Sequence, residues 1–300
     1  MQQASSTPRR EVFESMTNAA RTGTLYVVAT PIGNLGDIGA RAAAILKRVP
    51  TIAAEDTRRS RVLLAEIGAS PARILSLADH NEGPRSLEVL DILQRGEDVA
   101  LVSDAGTPLI SDPGYELVRE AHARSIPVVP VPGPSAVMAA LSVSPLPVER
   151  FCFEGFLPAK SQQRRKRLVE LAALDVSLVC FEAARRLPDL LNDVADVMGA
   201  DRGVYLAKEL TKIHERLLVG TAADLAAVVA EDTELTLGEY VVVIAAGATR
   251  TTMDDAARRL VRALCEELPP AQAARLAAKA LDLPKKPLYD YALSLKTEPG

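Results

Sequence analysis

From Gly23 to Val131 the chain alternates short apolar runs with amphipathic stretches, and this alternation restricts it to very few architectures. The runs are LYVVAT (25–30), TIAAE (51–55), ILSL (74–77), DVALVS (98–103) and PVVPV (127–131). Runs this short and this apolar read as buried strands. Between them, 36–48, 57–67, 84–95 and 113–124 carry Leu, Ile, Val or Ala at helical spacing with charges opposite. Strand–helix alternation at this spacing predicts an α/β fold with a parallel sheet covered on both faces. Ligands of such sheets sit beyond the carboxyl ends of the strands, so the loops after Thr30, Glu55, Ser103 and Val131 frame the expected site.

A second series follows the proline-rich VSPLP (143–147): FCFEGF (151–156), SLVCF (177–181), VYLAKEL (204–210), HERLLVG (214–220) and EYVVVIA (239–245). The adjacent pair around Leu210 to His214 predicts a hairpin and hence a mixed sheet. The expected organisation is a flexible tail (1–22), an N-terminal α/β domain (23–145), a C-terminal α/β domain (146–250) and a helical segment (251–300) with a helix-turn-helix rhythm.

Composition removes whole classes. Among 300 residues, 48% are hydrophobic and 25% charged, too apolar for a disordered chain. The formal net charge of −4 excludes a globally basic nucleic-acid surface while leaving room for a local basic patch, and no DNA partner is expected. Aromatics at 4%, with no Trp, are too few for a row of base-stacking platforms. Cys152, Cys180 and Cys265 are widely spaced without Cys-x-x-Cys, against a disulfide framework or zinc ribbon and in favour of the cytoplasm. His80, His122 and His214 form no metal-ligand spacing, so no metal is expected. The first 22 residues have no apolar run of the kind a signal or membrane anchor needs.

Motif by motif, other classes fall away. There is no G-x-x-x-x-G-K-[ST], and the glycines of GNLGDIG (33–39) do not fit G-x-G-x-x-G. GPSAV (133–137) has Val137 where a nucleophile elbow needs glycine. What remains is four strand-end loops dense in Gly, Pro, Thr and Asp: ATPIGN (29–34), AEDTRRS (54–60), SDAGTPLISDPG (103–114) and VPGPSAV (131–137). Turn residues occur in most α/β loops, but four such loops at one sheet edge point to a small molecule held largely by main-chain groups.

These loops, together with DHNE (79–82), FEGFLPAKS (154–161), ELTK (209–212), GEYVVVI (238–244) and KKPLYDYAL (285–293), closely resemble the ribosomal RNA small subunit methyltransferase I family, cytidine 2'-O-ribose methyltransferases of the tetrapyrrole-methylase superfamily. The resemblance covers roughly residues 23 to 295. It implies two α/β domains with S-adenosylmethionine in the trough between them, a homodimer, and 16S ribosomal RNA of the small subunit as substrate. Carried across by motif, Pro31, Gly33, Asp104, Ala105, Gly106, Thr107, Pro108, Leu109, Ser135 and Ala136 would bind the cofactor from the first domain. Phe181, Glu182, Leu210 and Glu239 would do so from the second. Two departures stand out: Ala184 and Arg185 occupy the place of a usual Pro-His, and Ala78 that of a common His.

Methyl transfer from a sulfonium to a ribose hydroxyl is an in-line displacement, helped by positioning and by a proton acceptor. Glu55 and Asp56 are the candidate acceptors; Asp56 is equally suited to cap the helix starting at Thr57. His80, Asn81 and Glu82 form a rival polar cluster, equally suited to a turn. Lys160, Arg164, Arg165, Lys166 and Arg167 make an uninterrupted +5 run, read as the RNA grip, although a charge run is more often a solvated helix face. Arg275, Lys279, Lys285, Lys286 and Lys296 against Asp282 and Asp290 add a net +3. Two alternatives stay open: a tetrapyrrole C-methyltransferase on the same fold, and a non-catalytic ribosome-binding relative.

Overall fold

A computed structural model describes residues 22–247, 255–281 and 283–297. The expected tail (all but Thr22) and Asp282 lie outside the described residues, as does the side chain of Lys296.

The first α/β unit contains β1 (Leu25–Val28), β2 (Thr51–Ala54), β3 (Arg73–Ser76), β4 (Val99–Val102) and β5 (Val128–Val131). They alternate with α1 (Ala40–Arg48), α2 (Thr57–Glu66), α3 (Glu82–Gln94) and α4 (Tyr115–Ala123). All four pairings are parallel, in the order β3-β2-β4-β1-β5. Every residue of β2 and β4 is buried, as a sheet covered on both faces requires. Separate aliphatic clusters fill the two faces: Leu90, Leu93 and Leu117 on one, Leu46, Ile52 and Leu64 on the other.

The second unit contains β6 (Phe151–Phe156), β7 (Ser177–Ala183), β8 (Gly203–Lys208), β9 (Arg216–Thr221) and β10 (Glu239–Ile244), with α6 (Ser161–Ala172), α7 (Leu187–Met198) and α8 (Ala222–Glu231). Its order is β6-β7-β10-β8-β9. Only β6 and β7 run parallel; the other pairs are antiparallel, including the β8–β9 hairpin, so the sheet is mixed as expected.

Between the units lies α5 (Ala136–Ser142), capped by the Ser135 hydroxyl, which accepts from the Met138 amide at 3.5 Å. Its buried Val137, Ala140 and Leu141 pack with Val179, Tyr205 and Val241 of the second sheet. By packing, α5 thus sides with the second sheet. Last come α9 (Asp255–Glu267), α10 (Pro270–Leu281) and α11 (Lys285–Thr297). They share a small core of their own around Val261, Ala274, Ala277 and Leu288.

Candidate active site between the two sheets

Adjacent strands β1 and β4 bring the first and third loops together. The Thr30 amide donates to the Gly106 carbonyl at 2.8 Å, and the Gly106 amide returns a bond to Thr30 at 3.0 Å. The Thr107 hydroxyl donates to the Pro134 carbonyl at 3.1 Å, tying in the fourth loop. Opposite stand the ends of β6, β7, β8 and β10. The two sets enclose a cavity of about 370 Å³, within the size range of small-molecule sites.

Left-handed backbone recurs in the loops that carry its walls. Leu109 (φ 72°) and Ser111 (φ 68°) on one side, and Glu209 (φ 49°) and Thr211 (φ 65°) on the other, are left-handed without being glycine. Such residues persist only where surrounding structure over-determines them, which is typical of ligand clamps. Gly33 explains part of the closeness: a Cβ there would lie 2.4 Å from Lys212 Cγ, so the first loop passes directly against the second domain.

Nine of the expected cofactor residues line the cavity: Ala105, Gly106, Thr107, Ser135, Ala136, Phe181, Glu182, Leu210 and Glu239. Five do not. Gly33 backs onto Lys212. Asp104 turns away, accepting from the Asp56 amide at 2.9 Å and pairing with Arg59 at 3.2 Å. Leu109 packs into the core beneath the first sheet. Pro31 and Pro108 adjoin the wall residues Ile32 and Thr107 without facing the cavity themselves.

Sequence reasoning missed Ile110, Asp112, Phe156, Glu209, Lys212 and Tyr240, all of which line it. Asp112 and Lys212 belong to the quoted loop motifs, yet nothing in periodicity singles them out.

The expected proton acceptors, Glu55 and Asp56, lie outside the cavity lining. Asp56 caps α2, accepting from the Arg58 amide at 2.8 Å, and its ion pair with the Arg58 guanidinium holds it well below the usual carboxylate range. Glu55 is raised above its ordinary value by burial and accepts from the Asp104 amide at 3.1 Å. Neither lines the cavity. In the rival cluster two members hold backbone: Asn81 accepts from the Ala78 amide, and Glu82 accepts from the amides of Gly114 and Glu116, each at 2.9 Å, while His80 is exposed.

The basic run needs the largest correction. Arg164 is 1% exposed and ion-paired with Asp193 at 2.7 Å, so it cannot reach a phosphate. Arg165 pairs with Asp193 and Asp196, and Arg167 with Glu154 and Glu170. Acids from β6, α6 and α7 thus neutralise the run, leaving Lys160 and Lys166 exposed.

The walls suit an amphipathic ligand carrying hydrogen-bond donors. Phe156 and Phe181 lie 5.6 Å apart between ring centres, giving an apolar face. Glu182 is buried beside Arg186 at 3.2 Å, and its Oε2 has no hydrogen-bond partner among the described residues. Burial raises its carboxyl above the ordinary value, with Arg186 opposing. An orphaned buried acceptor in a ligand cavity awaits a donor.

Residues 24–226 match the family Tetrapyrrole (Corrin/Porphyrin) Methylases, and residues 251–296 match the RsmI C-terminal HTH domain. Ribosomal RNA small subunit methyltransferase I of Xylella fastidiosa (strain Temecula1) is 50% identical over 272 residues, covering 89% of this chain and 98% of its own length. The protein of that name from Escherichia coli O157:H7 is 47% identical, over 90% and 95%. The chain belongs to the ribosomal RNA small subunit methyltransferase I family.

Members of this family are methyltransferases, and the chain is an enzyme whose methyl donor is S-adenosylmethionine. Among solved structures, diphthine synthase superposes with a TM-score of 0.60 at 13% identity, covering 89% of this chain and 99% of its own. Uroporphyrin-III C-methyl transferase from Thermus thermophilus, complexed with S-adenyl homocysteine, gives 0.55 at 16% identity, over 74% and 97%. At such identities these likenesses show the fold. The α/β architecture with a trough between two sheets, read from loop motifs, is the one observed.

Proposed function

We propose that this enzyme transfers the methyl group of S-adenosylmethionine to the ribose 2'-hydroxyl of a cytidine in 16S ribosomal RNA of the small subunit, acting in the cytoplasm as a homodimer. The observation that carries this reading is near full-length similarity to relatives named for ribosomal RNA, including the C-terminal segment that has a family match of its own.

Bound there, the cofactor supplies an electrophilic methyl group on a sulfonium. The chain's own residues bind and orient. The Ala105–Thr107 backbone and the start of α5 form one wall, Phe181 and Leu210 the apolar other, and Glu182 Oε2 would accept from a ligand donor. Holding both reactants at near-attack distance accounts for much of the acceleration such a transfer needs.

RNA docking falls to exposed cations of the helical end, Arg275, Lys279, Lys285 and Lys286, with Lys160 and Lys166. Phosphate contacts of this kind give salt-dependent affinity with little sequence reading. Support for the homodimer comes from edge strand β9, whose Leu217 and Val219 are exposed, an edge that a second copy would cover. Among the described residues, no helix is long and apolar enough to cross a membrane.

The test is incubation with labelled S-adenosylmethionine and either undermethylated small subunits or free ribosomal RNA. Label is expected in the RNA. Absence of transfer to both substrates, with the cofactor bound, overturns the reading.

A further inference from the structure

Four carboxylates line the cavity: Asp112, Glu182, Glu209 and Glu239. Glu209 and Glu239 share Lys212 at 2.9 and 3.5 Å, and Glu182 pairs with Arg186 at 3.2 Å through one oxygen, its other oxygen being the acceptor assigned above to a ligand donor. A carboxylate held by a cation is a poor proton acceptor. Asp112 has no ion-pair partner among the described residues; its polar neighbour is the Ser103 hydroxyl.

The fold builds this side chain into place. Leu109 and Ser111 turn the loop through left-handed backbone immediately before Asp112. From the other domain, Gly155 of β6 seats against the loop so closely that a Cβ there would lie 2.9 Å from Ser111 Oγ. Around Asp112 stand Glu55 after β2, Asp79 after β3 and Asp104 after β4. Arg59, the cation beside Glu55, is paired with Asp104 at 3.2 Å.

We propose that the Asp112 carboxylate is the group that takes the ribose 2'-hydroxyl proton during methyl transfer, an assignment that rests on the ribose reading above. As the ribose oxygen bonds to the methyl carbon, the carbon–sulfur electron pair stays on sulfur and the O–H proton passes to Asp112. A neutral thioether and a neutral carboxylic acid result, and the acid returns its proton to solvent. The surroundings tune the group for this work: burial first, then the charges of Glu55, Asp104 and Asp79, push its carboxyl up to about 6 against the bond from Ser103. A base poised near the operating pH is the most effective kind.

The test is single-turnover methylation at saturating cofactor and RNA, for the wild-type chain, Asp112→Asn and Glu55→Gln across pH 5 to 9. In the wild type the rate is expected to fall below an inflection near 6. Asp112→Asn should lose about a hundredfold or more in rate, lack the inflection, and keep its cofactor affinity by equilibrium dialysis. Glu55→Gln should move the inflection down by removing a like charge. A wild-type profile without an inflection overturns the proposal even if Asp112→Asn does not fold. So does an Asp112→Asn rate within about twofold of wild type. Alkaline hydrolysis of the labelled RNA separates the two claims: a 2'-O-methyl linkage resists alkali, so a cleaved labelled site sinks the ribose reading itself. A resistant site with an unchanged Asp112→Asn rate sinks only the role of Asp112.

Discussion

The guanidinium of Arg164 on α6 lies 2.7 Å from the Asp193 carboxylate on α7, with the arginine side chain 2% and the aspartate side chain 7% exposed. Asp193 also accepts from the Ser161 hydroxyl at 3.1 Å and from Arg165 at 3.2 Å. What reads in sequence as a cationic docking strip is therefore partly an internal clamp joining two helices beneath the second sheet.

Removing one partner of a buried ion pair strands the other charge. Arg164→Ala or Asp193→Ala should each lower stability by about 3–5 kcal/mol, measured by urea unfolding. The double change Arg164→Met with Asp193→Leu should recover most of that loss. Single variants within ~1 kcal/mol of wild type would contradict the clamp.

RNA affinity should depend on the exposed helical end more than on the α6 run. Lys285→Glu with Lys286→Glu should weaken binding to ribosomal RNA several-fold and flatten its salt dependence, about one counterion per lysine. Cofactor affinity should be unaffected. Filter binding at several salt concentrations measures the first, equilibrium dialysis the second.

Gly33→Ala should loosen the cofactor cavity without unfolding the chain. The added Cβ would meet Lys212 Cγ at 2.4 Å and the Leu210 carbonyl at 3.1 Å, pushing the two walls apart. The expected effect is about a tenfold loss of S-adenosylmethionine affinity, roughly 1.4 kcal/mol.

Asp112 should cost stability at neutral pH. Its carboxyl is raised in the folded chain from 3.8 to about 6, so the stability it contributes is present below about 4 and lost as pH rises through about 6. Asp112→Asn escapes that loss. Its stability relative to wild type should grow between pH 4 and 7 by about 1–3 kcal/mol, visible as a widening difference in Tm. A difference constant with pH would contradict the raised carboxyl.

The alternation of strand and helix was legible because it is local: ILSL, read at 74–77, forms β3 at 73–76, and the hairpin expected around residue 212 is β8–β9. The family resemblance carried nine cavity residues, five of them in the Gly- and Pro-rich loops after β4 and β5 and four from the second domain. Ala184, a departure from the family pattern, is buried, and its amide donates to the Gly238 carbonyl at 3.0 Å. What sequence could not show is long-range. Asp193 neutralises Arg164 from 29 positions away, and α5 has the same apolar pattern whichever sheet it covers. Asp56 draws attention in its loop and Asp112 does not; only the meeting of three strand ends buries Asp112 and leaves Asp56 capping a helix.

The most direct measurement digests methylated 16S ribosomal RNA to nucleosides after reaction with labelled S-adenosylmethionine and resolves the labelled product by chromatography and mass. The account predicts 2'-O-methylcytidine. A base-methylated nucleoside, or unlabelled RNA despite bound cofactor, would contradict it.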